Sequence, residues 1–145
     1  MDVWATGRTE ETWALARRLG ADHVISPSDE VPVRVRAVFY LSGGRETWEQ
    51  AMGSVADRGS IIMCGSHGME YLGTRRGVTD SRHYTIRTGF LGSIEEFKGL
   101  VGFVMKHAIR PLIDPIAPLD GDDVRGFERM LARGVGGKVV VAISE

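Results

Sequence analysis

The stretch "AVFYL", Ala37–Leu41, runs through five apolar residues without a break and is closed by Ser42-Gly43-Gly44. A strand with one wet face alternates apolar and polar residues. An unbroken run predicts a strand buried on both faces of a parallel sheet. The device returns at Ser60–Cys64, "SIIMC", which follows Gly59 and ends at Gly65. Between the two, Trp48, Ala51, Met52 and Val55 fall at i, i+3, i+4 and i+7, the spacing of one helix face. Strand, helix and strand of this kind confine the chain to the α/β class with a parallel sheet.

The flanking segments repeat the alternation. Asp2–Thr6 reads as a strand. The helix after it has Thr9 as its cap, Glu10 and Glu11 in the positive first turn, Arg17 and Arg18 in the negative last turn, and Gly20 to close it. Trp13, Ala16 and Leu19 fall near one of its faces. His23–Ile25 is a short strand ended by Ser26-Pro27, and Asp29–Arg36 is too short for a full helix. Ser66–His83, rich in glycine and arginine, reads as a long loop, and such loops are more often functional than decorative. Tyr84–Phe90 is a further strand, and Ser93-Ile94-Glu95-Glu96 fits a capping box. Phe97, Leu100, Val101 and Val104 then give an amphipathic helix that stops before Pro111. Beyond it lie an extended piece, Leu112–Leu119, a helix, Asp120–Arg133, and a strand, Lys138–Ile143.

Composition excludes several functions. The formal net charge is -1 with no block of like charge, which argues against a nucleic-acid or anionic-membrane partner. No apolar run is long enough to span a bilayer, and the first residues lack the basic-then-apolar pattern of a secretory signal. A single cysteine, Cys64, excludes an internal disulfide and a cysteine-based zinc cluster, and fits a reducing cytoplasm. It is expected to be a buried, inert strand thiol. His23, His67, His83 and His107 show no metal-ligand spacing. Trp13, Trp48 and Phe97 read as core.

In a parallel sheet the loops at the carboxyl ends of the strands bind ligands. Here those loops are Gly7-Arg8, Ser42-Gly43-Gly44, Gly65-Ser66-His67 and Gly89–Gly92.

The phrases "ALARRLGADHVI", "AVFYLSGGRETWEQAM", "GSIIMCG", "TIRTGFLGS", "PLIDPIAPL" and "GGKVVVAI" together resemble the medium-chain dehydrogenase/reductase family, the zinc alcohol dehydrogenases and their zinc-free quinone reductase relatives. They stand in the family's order across nearly the whole chain. The resemblance implies an incomplete Rossmann-type parallel sheet. Residues 1–107 would be a partial dinucleotide-binding domain, and 108–145 a tail that returns to a substrate domain. Asp2–Thr6 would be the family's second strand. The N-terminal substrate domain, where any zinc ligands lie, the first strand and the glycine-rich loop have no counterpart, and no G-x-G-x-x-G occurs. The chain would thus correspond to the C-terminal part of a family member, with no zinc and with little or no turnover alone.

The resemblance also implies site residues. Gly7 stands where a family member that uses NAD places an acid, and Arg8 and Thr9 follow, which points to NADP(H); the alternative for Arg8 is a solvated turn residue. Leu41 and Ser42, with Gly65 and Ser66, would line the adenosine and nicotinamide sites, and Gly89, Phe90 and Leu91 would lie beside the carboxamide. Lys138 would approach the pyrophosphate, or be a solvated strand-edge lysine. The reaction implied is hydride transfer to or from a carbonyl, enone or quinone. The alternative is a dimeric, non-catalytic module for a small ligand or a partner. A homodimer through Tyr84–Phe90 is expected, and a separate N-terminal chain is a second candidate partner.

Without a first strand, the second and fourth strands expose backbone edges. Either they pair with each other, or another chain supplies a strand. Both routes require Val3–Ala5 to share a sheet with Phe39 and Ile62, directly or through an added strand.

Overall fold

The computed structural model describes residues 1–41, 43–64, 82–89, 91–118, 128, 131 and 136–142. They fall into two compact units, Met1–Leu91 and Gly92–Glu145.

The first unit contains β1 (Trp4–Thr6), α1 (Glu10–Arg18), β2 (His23–Ile25), β3 (Val35–Tyr40), α2 (Arg45–Ser54), β4 (Val55–Cys64) and β5 (Thr85–Gly89). β1 pairs with β2, and β3, β4 and β5 form a second sheet in that order, every pair parallel. Helix α1 forms for the reasons its sequence gives. Thr9 and Thr12 make a reciprocal capping box, acids occupy the first turn, and arginines the last. Its apolar face stays shallow, however. Trp13 and Ala16 are half-buried, Leu19 is exposed, and no residue of the helix is buried, because a two-stranded sheet offers a narrow platform.

The core lies on one face of the larger sheet. Tyr40, Ile61 and Met63 meet Trp48, Ala51 and Met52 of α2 together with Val55, all below a tenth exposed. Trp48 stands edge-on to Tyr40 at 5.5 Å between ring centres. Burial of Val55, Ile61, Met52 or Met63 contributes about 1.5–3 kcal/mol each by leaving water. The stripe at positions 48, 51, 52 and 55 is therefore the one that builds this unit.

Arg82 closes the carboxyl end of α2. Its guanidinium donates to the carbonyls of Val55 at 2.5 Å and Met52 at 2.8 Å, with Gly53 at 3.4 Å. A cation here satisfies acceptors that the helix leaves open and opposes its negative pole.

Three expectations are corrected. Ala37–Leu41 is not buried on both faces: Tyr40 is buried, but Phe39 is 65% and Leu41 67% exposed, since α2 covers the sheet on one side. Cys64 is exposed, at the end of the same uncovered row. Phe97 is not core but 62% exposed.

β1 and β3 are not hydrogen-bonded neighbours, so a continuous five-stranded sheet does not form. Val3–Ala5 shares no sheet with Phe39 and Ile62, directly or through a strand of the described residues. Side chains join the two sheets instead. The Gln50 amide of α2 donates to the carbonyls of Ser26 and Asp29, each at 2.8 Å, and accepts from the Thr6 hydroxyl at 2.8 Å. Each sheet by itself follows part of the doubly wound order 3-2-1-4-5-6, β2-β1 as its 3-2 and β3-β4-β5 as its 4-5-6.

The second unit contains α3 (Ile94–Lys106), β6 (Ile113–Pro118) and β7 (Lys138–Ala142), the two strands parallel. Ser93 and Glu96 form the expected capping box. The backbone N–H of Gly136 donates to the Asp114 carboxylate at 2.7 Å, fixing the approach to β7. The helix expected over Asp120–Arg133 lies outside the described residues except at Glu128 and Leu131, which are helical. Most of the long loop Ser66–His83 also lies outside them.

Candidate functional site

The carboxyl ends of the strands in the first unit carry the candidate residues. β1 ends at Gly7, whose N–H donates to the Ile25 carbonyl at 3.0 Å and so extends the pairing with β2. Its carbonyl accepts the indole N–H of Trp13 at 2.7 Å. A Cβ at Gly7 would sit 2.7 Å from the Thr12 hydroxyl oxygen and 2.8 Å from Trp13 Cδ1. No side chain fits there unless Trp13 or Thr12 moves. The absence of an acid at position 7 is therefore built into the packing of α1.

Arg8 projects from the same turn and is exposed. Its Nη2 lies 3.7 Å from where a Cβ on Gly44 would stand, so the loop after β1 reaches the loop after β3. Arg8 has no hydrogen-bond or ion-pair partner among the described residues. Thr9 is committed locally: its hydroxyl accepts from the Thr12 N–H, and its N–H donates to the Thr12 hydroxyl. The Thr9 hydroxyl, and then the N–H of Glu11 itself, hold the Glu11 carboxyl below the ordinary carboxylate range.

After β3, Leu41 is exposed and Ser42 lies outside the described residues. Gly44 starts α2 at φ 127°, a conformation that glycine adopts without strain, and no side chain caps that end. Its carbonyl is anchored by Tyr40 Oη and Thr47 Oγ1, each at 3.0 Å. After β4, Gly65, Ser66 and His67 lie outside the described residues. After β5, Gly89 stands opposite Cys64 in the ladder, Phe90 lies outside, and Leu91 is fully exposed. Lys138 belongs to the second unit, where it opens β7 opposite Ile113 and is exposed.

The structure thus brings Arg8 beside Gly44, the start of α2, while Gly89 lies two strands from β3 in the larger sheet. Two residues that sequence reasoning passed over brace this unit. Gln50 holds the ends of β1 and β2 against α2, and Arg82 closes the carboxyl end of that helix, where β4 begins. Gln50 lies off the apolar stripe and Arg82 in an aperiodic loop, so no periodic signal marks either. A cleft of about 790 Å³ opens between Pro27–Arg34 and α2. Among the described residues, no three His, Cys, Asp or Glu side chains group as a metal site, and no helix is long and apolar enough to cross a membrane.

The parallel strand order and these loops agree with a match to the zinc-binding dehydrogenases over residues 1–106. The chain belongs to that family. Among its relatives, a zinc-type alcohol dehydrogenase-like protein of Schizosaccharomyces pombe is 28% identical, the alignment covering 98% of this chain and 45% of that protein. The alcohol dehydrogenase of the archaeon Aeropyrum pernix superposes with a TM-score of 0.78 at 25% identity, covering 97% of this chain and 42% of that one. The Bacillus subtilis protein yhfP, solved with NAD bound, gives 0.69 at 17% identity, covering 98% and 47%. This zinc-binding dehydrogenase chain therefore spans about half the length of the relatives it matches, and it is an α/β oxidoreductase-family chain with a Rossmann-type parallel sheet.

Proposed function

We propose that the chain is the cofactor-side part of an NADP(H)-dependent oxidoreductase that transfers hydride to or from a carbonyl, enone or quinone, with little or no turnover by itself. The observation that carries this reading is the Gly7-Arg8 turn. Trp13 and Thr12 leave no room for a carboxylate at position 7, while Arg8 presents a guanidinium that has no partner among the described residues, beside Gly44. An acid at this turn holds a ribose 2′-hydroxyl, and an arginine beside it accommodates a 2′-phosphate.

The bound nicotinamide would supply the hydride chemistry. The chain's own part is to hold the adenosine end at Gly7, Arg8 and Thr9, and to line the path to the nicotinamide with Leu41, Ser42, Gly65, Ser66, Gly89, Phe90 and Leu91. The NAD held by yhfP supports a nicotinamide ligand. Catalysis would call on further polypeptide for the substrate side, without zinc held by this chain, in a cytoplasmic setting. The test is a titration with NADPH and NADH followed by tryptophan fluorescence. NADPH should bind more tightly, and Arg8→Ala should remove the difference. Equal affinity in the parent chain, or a preference that survives the substitution, overturns the assignment.

A homodimer through Tyr84–Phe90 is the second element of the proposal, favoured by the position of β5 at the edge of its sheet. A non-catalytic dimeric module for a small ligand or partner would keep this contact and lose the cofactor. Light scattering at micromolar concentration tests the dimer.

A further inference from the structure

We infer that Gln50 is a positioning residue for nucleotide choice, a role that rests on the NADP(H) reading. Its side-chain amide fixes the turn that carries Arg8 against the helix whose first turn receives the Arg8 guanidinium. It thereby sets how sharply a 2′-phosphate is told from a 2′-hydroxyl, although Gln50 itself touches neither.

Arg8 starts in one sheet and ends in the other. Its backbone follows β1 of the smaller sheet. Its Nη2 lies 3.7 Å from where a Cβ on Gly44 would stand, in the loop after β3 of the larger sheet. The aim of the side chain therefore depends on how the two sheets are placed. No hydrogen bond or ion pair among the described residues holds the guanidinium itself. A long side chain left so gives up rotamer freedom when it grips a ligand, and that loss is smaller where its surroundings already direct it.

Gln50 sets that placement. β1 and β3 share no ladder. Among the described residues, the hydrogen bonds that join the smaller sheet and its turns to α2 are those of Gln50. A carboxamide has two N–H donors and an acceptor oxygen. Here the donors go to the Ser26 and Asp29 carbonyls and the oxygen accepts from Thr6, so three segments meet on one planar group. The Thr6 hydroxyl stands two residues before Arg8.

The chemistry admits few substitutes. A glutamate would turn a carboxylate toward two carbonyl oxygens, an asparagine is one methylene short, and a leucine offers no polar group. An exposed helix position with no such duty tolerates all three.

The test is a fluorescence titration of the full chain with NADPH and with NADH. Gln50→Leu should weaken NADPH by about three- to tenfold, the cost of ordering one long side chain on binding, and NADH by less than about twofold. Thr6→Val removes the bond nearest Arg8 alone and should move the ratio the same way by a smaller factor, so the test survives a Gln50→Leu chain that does not fold. In an Arg8→Ala background, Gln50→Leu should affect both nucleotides alike, because Gln50 acts through Arg8. Ile61→Val, which loosens the core of the larger sheet, should leave the ratio unchanged. A ratio that stays at the parent value in the folded Gln50 and Thr6 variants overturns the role while the NADP(H) reading stands. So does an equal shift in the Arg8→Ala background or with Ile61→Val. A parent chain without preference overturns both.

Discussion

The indole N–H of Trp13 meets the carbonyl of Gly7 at 2.7 Å, and the ring lies over the space that a side chain at position 7 would need. One tryptophan thus both caps the end of β1 and dictates which residue can follow it.

Gly7→Asp should therefore destabilise the first unit by about 1–3 kcal/mol, the usual range for forcing atoms into occupied space. It should not create a preference for NADH, since the carboxylate arrives with Trp13 displaced. Urea unfolding monitored by tryptophan emission, beside a nucleotide titration, checks both parts.

Ile61 and Phe39 lie in adjacent strands but face opposite sides of the sheet: Ile61 is fully buried and Phe39 is 65% exposed. Ile61→Ala should cost about 2–5 kcal/mol. Phe39→Ala should cost well under half of that in the isolated chain. Comparable losses would mean that the second face is covered in solution.

Removal of the Arg82 guanidinium leaves the carbonyls of Met52 and Val55 without their charged donor. Arg82→Met keeps much of the aliphatic stem and should lose about 1.5–3 kcal/mol, the worth of hydrogen bonds to a charged group. Thermal unfolding, with exchange at the last turn of α2, measures it.

Glu96 makes α3 sensitive to acid. The Ser93 backbone N–H, and then its hydroxyl, hold the Glu96 carboxyl below the ordinary range. A carboxylate whose pKa is depressed on folding contributes stability above its unfolded value, about 4.3, and loses it as pH falls through the lower folded value. The amino-terminal turn of α3 should therefore loosen below about pH 4.3. Glu96→Gln should be less stable at neutral pH and flatter across that window. Amide exchange at Ile94–Phe97 against pH is the measurement.

Most of the first unit, and the cap at Ser93 in the second, was legible in the sequence, because the signals are local. The caps at Thr9 and Ser93, the stripe at positions 48, 51, 52 and 55, and the strand ends at Ile25 and Cys64 each depend on a few neighbouring residues. The apolar run Ala37–Leu41 misled about burial. It reports the environment of the completed fold, whereas the described chain covers one face. Of the two routes by which Val3–Ala5 and Phe39 could share a sheet, direct pairing of β1 and β3 does not occur among the described residues, and the Gln50 side-chain amide holds the two sheets together without it. Nothing in the pattern marked Gln50 or Arg82, because the carbonyls of Ser26 and Asp29, and of Met52 and Val55, that they bond are backbone groups any residue supplies. Several proposed contacts, at Ser42, Gly65, Ser66 and Phe90, fall outside the described residues.

Gln50 grips Thr6, Ser26 and Asp29, all at the carboxyl ends of β1 and β2. The smaller sheet is therefore pinned at a corner, like a door on its hinge. Swinging about that pivot would spread the amino-terminal ends of the strands while the turns that bear Arg8 and Gly44 stay at a constant span.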